Sequence, residues 1–500
     1  MADLLKTPSS KHNAQAQAEG EYDSDRTSSH TARPPHVDEG LWEALRRTIL
    51  APDMHGFAKK RVVADLIRQH LLAHGALYRT ADGRLLFFSQ EECRLYDLQE
   101  TPFMHWLIEA SGLSTTETVF NFAVDTLTAH VARHGTLVEV HTLSYYNEQS
   151  KVLTVSTGGC GVWRREPHGQ WHAGKNGDDG VFFVTDPDAT PWEPDFASAE
   201  DLSWLWQQIN FSPTPLAVDE QRLFFIVWLL HQFFPALRHT RLIPAWLGPQ
   251  GAGKSTTCRL IGRFLIGNAF EVTGLRKDKE DAFVAALTHR VLHAIDNADT
   301  RVSWLEDALA RYATGEVFRF RQLYTTNAEV SYRPQAILML TSRDPHFQRA
   351  DVAQRLLPFY LQEHEGFQDE PDIFAELGSR RPGLWGDLLK RLAFVQDGLL
   401  VAPSSPKLPF RMADYAAFGW RFLQAHGQEQ AWVMLLQQLE AAQRRFAEGG
   451  EALVRALGKL LEGQAYIGPY TVRELYSQLG EIADAHGLVQ GVINTPPVHK

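Results

Sequence analysis

Three cysteines in 500 residues, Cys93, Cys160 and Cys258, are too few and too far apart in sequence for a disulfide framework or a CxxC metal knuckle. That predicts a reduced, cytoplasmic chain. Long apolar runs are missing as well. The greasiest stretch, Leu223 to Leu230, is stopped by His231 and Gln232, after less than half of the roughly 20 residues a bilayer span requires. It predicts a buried helix and no membrane partner. The opening residues, Met1 to Lys6, have no basic region followed by an apolar one and do not read as a secretory signal. Positive charge is not in excess: the formal net charge is −11, which argues against a surface that coats nucleic acid throughout but leaves room for a local basic site. There is no HExxH, no G-x-S-x-G and no Cys/His cluster at zinc spacing. The 21 histidines are scattered and are expected to be mostly solvated or helix-terminal. No paired-acid motif stands out in the N-terminal region.

What is present is an ordinary globular composition, 44% hydrophobic and 22% charged, long enough for about three folded units. Residues 1–40 lack periodicity and predict a disordered tail. Residues 41–185 read as an α+β N-terminal domain. Apolar positions from Phe57 to Leu71 recur at helical spacing up to Gly75, then two β-prone runs flank Asp82-Gly83, a strong hairpin signal. A helical stretch is expected from Pro102 to His134, and the glycines of Gly158 to Gly161 predict a β-turn. Three prolines between Asp186 and Pro194 mark residues 186–215 as the candidate linker. Residues 216–362 follow an α/β pattern. Residues 371–500 read as a helical C-terminal domain, broken between Pro403 and Pro409.

One motif carries chemistry on its own. Gly248-Pro249-Gln250-Gly251-Ala252-Gly253-Lys254-Ser255, followed by Thr256, satisfies G-x-x-x-x-G-K-[ST]. A short apolar strand, Ile243 to Leu247, precedes it, and helix-prone sequence follows. In such a loop, glycines let successive backbone N–H groups converge on phosphate at the positive end of a helix. Lys254 is then expected to reach the β- and γ-phosphates of ATP, and Ser255 to ligate Mg2+. Downstream, Arg290 to Asn297 is an apolar strand ending in Asp296, the expected second acid of the metal site. The next residue, Asn297, can orient water but cannot accept its proton. Asp299, three residues past Asp296, would substitute if the loop bends suitably.

Beyond this strand come Thr314-Gly315-Glu316, the run Phe318-Arg319-Phe320-Arg321, an apolar strand Ala336 to Leu340, then Thr341-Ser342-Arg343, and Asp351-Val-Ala-Gln-Arg355 before Pro358-Phe359. Over about residues 245–360 this order resembles the superfamily-three, AAA+-like ATPases of viral, phage and plasmid primase-helicases. The resemblance implies an α/β P-loop NTPase core between the α+β and helical domains, a ring, most simply a hexamer, and a hairpin aimed into its pore. It places the sensor at or near Ser342, where the family has asparagine, and makes Asn297 the replacement of a glutamate. Arg355, with Arg349 as the other candidate, would enter the neighbouring subunit's nucleotide site.

The hairpin is argued from charge as well. Residues 311–343 hold five arginines and two acids, a local net of +3 in a chain of −11. Strand periodicity puts Arg319 and Arg321 on one face and the phenylalanines on the other, with Tyr324 in the turn. Arginines beside a tyrosine suit a single-stranded backbone and a stacked base; the alternative is that the arginines pair with neighbouring carboxylates. The expected function is an ATP-dependent DNA helicase or translocase of phage or mobile-element replication. The alternative is a nucleotide-gated switch or assembly ATPase with protein partners, in defence or regulation, and weak hydrolysis.

Overall fold

The computed structural model describes residues 38–298, 302–321, 329–343, 347, 349–363, 369–402, 404–448, 452–461 and 471–485. The N-terminal part opens with α1 (Glu39–Leu50) and α2 (Gly56–His74), which leads directly into β1 (Gly75–Arg79). Gly75 does not stop the helix by turning left-handed. Its backbone is extended, with φ 179°, and a Cβ there would lie 1.9 Å from the carbonyl oxygen of Phe88, so the glycine answers to a close approach of strands. The hairpin of β1 and β2 (Leu85–Ser89) turns at Asp82-Gly83 as expected, with Arg79 opposite Leu85. β3 (Arg94–Asp97) completes the antiparallel part of the sheet.

The single helical stretch expected from 102 to 134 is two helices, α3 (Thr101–Ser111) and α4 (Thr118–His134), separated at Gly112 in a left-handed conformation. After α4, β4 (Thr136–Leu137) adds to β1 in parallel. Val63, Ile67, Leu71, Phe87, Phe103, Leu107, Phe120 and Leu127 form the core of this part.

A second antiparallel sheet follows: β6 (Ser144–Tyr146), β7 (Leu153–Ser156), β8 (Gly161–Arg165) and β9 (Trp171–Lys175), flanked by the small pair β5 (Val140–His141) and β10 (Phe182–Phe183). Cys160, in the turn between β7 and β8, meets Cys93 despite their separation in sequence. Its thiol is pushed up to about 11, first by desolvation and then by its hydrogen bond with Cys93. Asn176 ties the two turns together, its Nδ2 donating to Cys93 O at 2.9 Å and its backbone N–H to Cys160 O at 2.8 Å.

The proline-rich segment expected as a linker is built into the main core. Trp192 stacks on Trp385 with ring centroids 3.7 Å apart, Thr190 N donates to Ile266 O, and the Asp186 carboxylate accepts from Val291 N at 2.9 Å. Proline removes regular hydrogen bonding from such a segment but does not prevent its burial. Next come α5 (Ser203–Gln207) and α6 (Val218–His231), whose run from Phe224 to His231 is buried throughout.

The central sheet is wholly parallel, in the order β12 (Thr273–Gly274), β13 (Leu292–Asp296), β16 (Ile337–Ser342), β11 (Ile243–Leu247), β17 (Leu356–Tyr360). β11 and β16 are buried along their whole length, the pattern of parallel strands covered on both faces. The intervening elements are α7 (Lys254–Leu265), α8 (Glu280–His289), α9 (Leu305–Ala313), the hairpin β14 (Phe318–Arg321) and β15 (Glu329–Tyr332), and the short α10 (Ala350–Ala353).

α11 (Glu370–Val401) then crosses the molecule, followed by α12 (Ala413–Gln424), α13 (Glu429–Glu448), α14 (Ala452–Leu461) and α15 (Val472–Ala485). One apolar cluster runs from Leu143 in the second sheet through the parallel sheet to Ala442 in α13. Arg165 of β8 is buried and makes a two-pronged pair with Asp397 of α11 at 2.7 and 3.0 Å. The second sheet, the proline-rich segment, the parallel sheet and the first three C-terminal helices therefore share a core that cuts across the boundaries expected at 185, 215 and 362.

Candidate nucleotide and nucleic-acid sites

The phosphate-loop motif lies between β11 and α7, at the carboxyl edge of the parallel sheet. Gly253 caps α7 with φ 76°, a left-handed conformation that costs an L side chain about 1–2 kcal/mol. At Gly248 a Cβ would lie 2.4 Å from Leu361 O. The loop is therefore held against Leu361, the residue after β17, while Pro249, Gln250 and Gly251 face solvent. Lys254 Nζ donates to the carbonyls of Gly248 at 2.8 Å and Pro249 at 2.7 Å, folding the lysine back across the cradle.

The structure brings Asp296 to this loop. Ser255 Oγ donates to Asp296 Oδ1 at 2.6 Å, and Thr341 Oγ1 donates to the same oxygen at 2.7 Å. No sequence motif marks Thr341 for this position. It lies one residue before Ser342, which sits beside Leu247 in register. Besides binding Asp296, Thr341 Oγ1 accepts from Asn297 N at 2.8 Å, and its carbonyl accepts from Ala298 N at 2.8 Å. These bonds clamp the turn after β13. Asn297 is exposed and has φ 57°, a region where Asn and Asp are enriched among non-glycine residues. Asp299 lies outside the described residues.

Glu370 and Arg259 were also missed. Thr256 Oγ1 donates to Glu370 Oε1 at the start of α11, and Arg259 approaches the same oxygen at 3.7 Å. Sequence spacing gives no hint of this, because α11 begins far downstream of the loop. Under the loop, the Cys258 thiol is pushed up by burial and then by the charge of Asp296.

Arg355 is not near its own phosphate loop. It precedes β17 at the opposite end of the sheet, where its carbonyl accepts from Ile243 N at 3.0 Å. Five strand residues separate it from that edge, about 17 Å. Its guanidinium binds the carboxylate of Asp351 at 2.7 Å and is only 11% exposed. Arg349, 45% exposed, grips the same carboxylate with two bonds of 2.9 Å. Asp351 is pushed down to about 2, chiefly by its bond with Arg349.

In the β14–β15 hairpin, Phe318 is buried and Phe320 packs on the main core and on Tyr332, while Arg319 is exposed. Arg311 lies 4.1 Å over the Phe318 ring. Arg321 pairs in register with Glu329. Tyr324 lies outside the described residues.

Residues 207–438, a little under half of the chain, match the family described as actinomycete integrative conjugative element replication protein. The core is similar to a replication protein. The matched span contains the phosphate loop, Asp296, Thr341, the hairpin and Arg355. No curated protein matches the chain. Among solved structures, it is similar to the SCCmec type IV Cch active helicase (13% identity, 83% of this chain and 86% of that one, TM-score 0.41). It is also similar to the NrS-1 C-terminal region (11% identity, 64% and 67%, TM-score 0.35). These likenesses are too distant to bear on chemistry. Among the described residues, no helix is long and apolar enough to cross a membrane.

Proposed function

We propose that the chain is an ATP-dependent DNA helicase or translocase that acts as a ring in the replication of a mobile element. The observation that carries this reading is the convergence of Ser255, Asp296 and Thr341 beside the Gly248–Ser255 loop. The residues suit ATP with Mg2+. Side chains are excluded from the cradle at Gly248 by contact with Leu361, and the hydroxyl and carboxylate oxygens of Ser255 and Asp296 form a hard donor pair. A bound Mg2+ would neutralise charge on the phosphates. Lys254 would exchange its two loop carbonyls for phosphate oxygens, and the N–H groups opening α7 would bind the same anion. Thr341 would hold Asp296 in position, and Asn297 would orient the attacking water.

Arg355, remote from its own loop, supports a role in the neighbouring subunit's site. Arg319, exposed on a hairpin whose apolar side is anchored in the core, supports contact with a DNA backbone in the pore. The match to replication proteins favours a replicative role.

One observation favours a second reading. Asn297 offers no proton acceptor next to Asp296, which suits a nucleotide-gated switch with slow turnover and protein partners. ATPase rate measured with and without single-stranded DNA, at low and high salt, separates the two. Stimulation that falls steeply with salt is expected of the translocase, because phosphate contacts release counterions. ATP binding with no DNA effect on turnover would leave the switch.

A further inference from the structure

His70 and His74 lie one turn apart on α2, and Asp38, just before α1, joins them. One ligand atom from each falls within 4.8 Å of the others. The two imidazole rings are 4.2 Å apart between centroids. Asp38 is fixed from two sides. Its N–H donates to Ala110 O at 3.3 Å, and its Oδ1 accepts from Leu41 N at 2.7 Å, capping α1. His74 Nδ1 lies 2.9 Å from the carbonyl oxygen of His70. A carbonyl only accepts, so Nδ1 carries the proton and the lone pair belongs to Nε2. This is how ligand histidines are oriented in metal sites, with one ring N–H on a backbone carbonyl and the other nitrogen bare. His70 packs near Trp106, with centroids 6.2 Å apart, which limits its ring motion.

We propose that Asp38, His70 and His74 bind a first-row transition-metal ion, zinc in the first instance, that staples the start of α1 to α2. Two imidazole nitrogens select zinc, cobalt or nickel over magnesium or calcium, whose ligands are oxygens. Three protein ligands leave the fourth tetrahedral position for water. The staple has something to add, because of the twelve residues of α1 only Leu41 and Leu45 are buried. The site belongs to the N-terminal apolar cluster, separate from that of the phosphate loop, and does not depend on the nucleotide reading. His70-x-x-x-His74 is visible in the sequence, but its third ligand comes from the N-cap of another helix.

The test uses the untagged full chain without nucleotide, titrated with Co2+ by visible absorption and with Zn2+ in competition. One saturable equivalent is expected, with slower amide exchange in α1. Asp38→Asn, which keeps a capping oxygen, and His74→Gln should each weaken binding at least about tenfold while leaving metal-free melting unchanged. Absence of saturable uptake would overturn the proposal. So would uptake that neither variant alters, since the ion would then sit on other histidines.

Discussion

Thr341 is the residue on which the proposed nucleotide site depends for its shape. One buried hydroxyl serves Asp296 and the backbone of Asn297 together. Thr341→Val removes both bonds and leaves polar groups short of partners, a loss of about 1–3 kcal/mol readable as a lower urea midpoint, with Thr341→Ser restoring it. A valine variant as stable as the parent would count against the clamp. Asn297 has a backbone reason for its identity. At φ 57°, glutamate would cost about 1 kcal/mol more than glycine. Asn297→Glu is therefore expected to unfold at lower urea than Asn297→Gly, and the reverse order would remove this explanation.

At the scale of elements, the hairpin of β14 and β15 divides its labour by strand alternation. Phe318 and Phe320 tether it, and Arg319 faces solvent. Arg319→Ala should weaken single-stranded DNA binding and flatten the slope of log affinity against log salt by about one, with melting unchanged. An unaltered slope would place the DNA elsewhere. The alternation was legible from the Phe-Arg-Phe-Arg run. The pairing of Arg321 with Glu329 was not, because register depends on where the turn closes. The helix over Gly56–His74 and the Asp82-Gly83 hairpin were also legible, since their signals are local. The role of Asp186 to Pro194 was not, because the partner of Trp192 is Trp385, in a helix nearly two hundred residues further on.

At the scale of the whole molecule, Arg355 and the buried histidines make separate demands. If Arg355 serves a neighbour, Lys254→Ala and Arg355→Ala chains should each be inactive alone, and mixing them should recover part of the ATPase rate. An intact partner pair then forms at some interfaces. No recovery on mixing, with both variants folded, would argue for Arg355 as an internal pair to Asp351. His141, His231 and His293 are lowered to about 4, about 3 and about 4, in each case mainly by burial. In the unfolded chain they titrate near 6.5. As pH falls below about 6.5 the unfolded chain takes up protons that the folded chain refuses, so stability drops until these lower values are reached. The slope is at most about 1.4 kcal/mol per pH unit for each histidine. Apparent melting temperature should therefore fall steadily from pH 7 to pH 4.5, and less steeply in His141→Gln. A flat profile would contradict neutral burial.

The sequence by itself determined what is local. The phosphate loop, the apolar strand ending in Asp296 and the alternating hairpin are each written in consecutive residues, and charge counting placed a basic stretch within an acidic chain. Only the tertiary structure decided which distant groups complete them. The parallel sheet sets β16 beside β13 and so delivers Thr341 to Asp296. It sets Arg355 at the edge away from the loop. Helix packing seats a proline-rich segment against α11 and, in the separate N-terminal cluster, brings Asp38 to His70 and His74. In each case the partner is chosen by strand order and helix packing, which depend on the shape of the whole core and leave no fixed spacing in the chain.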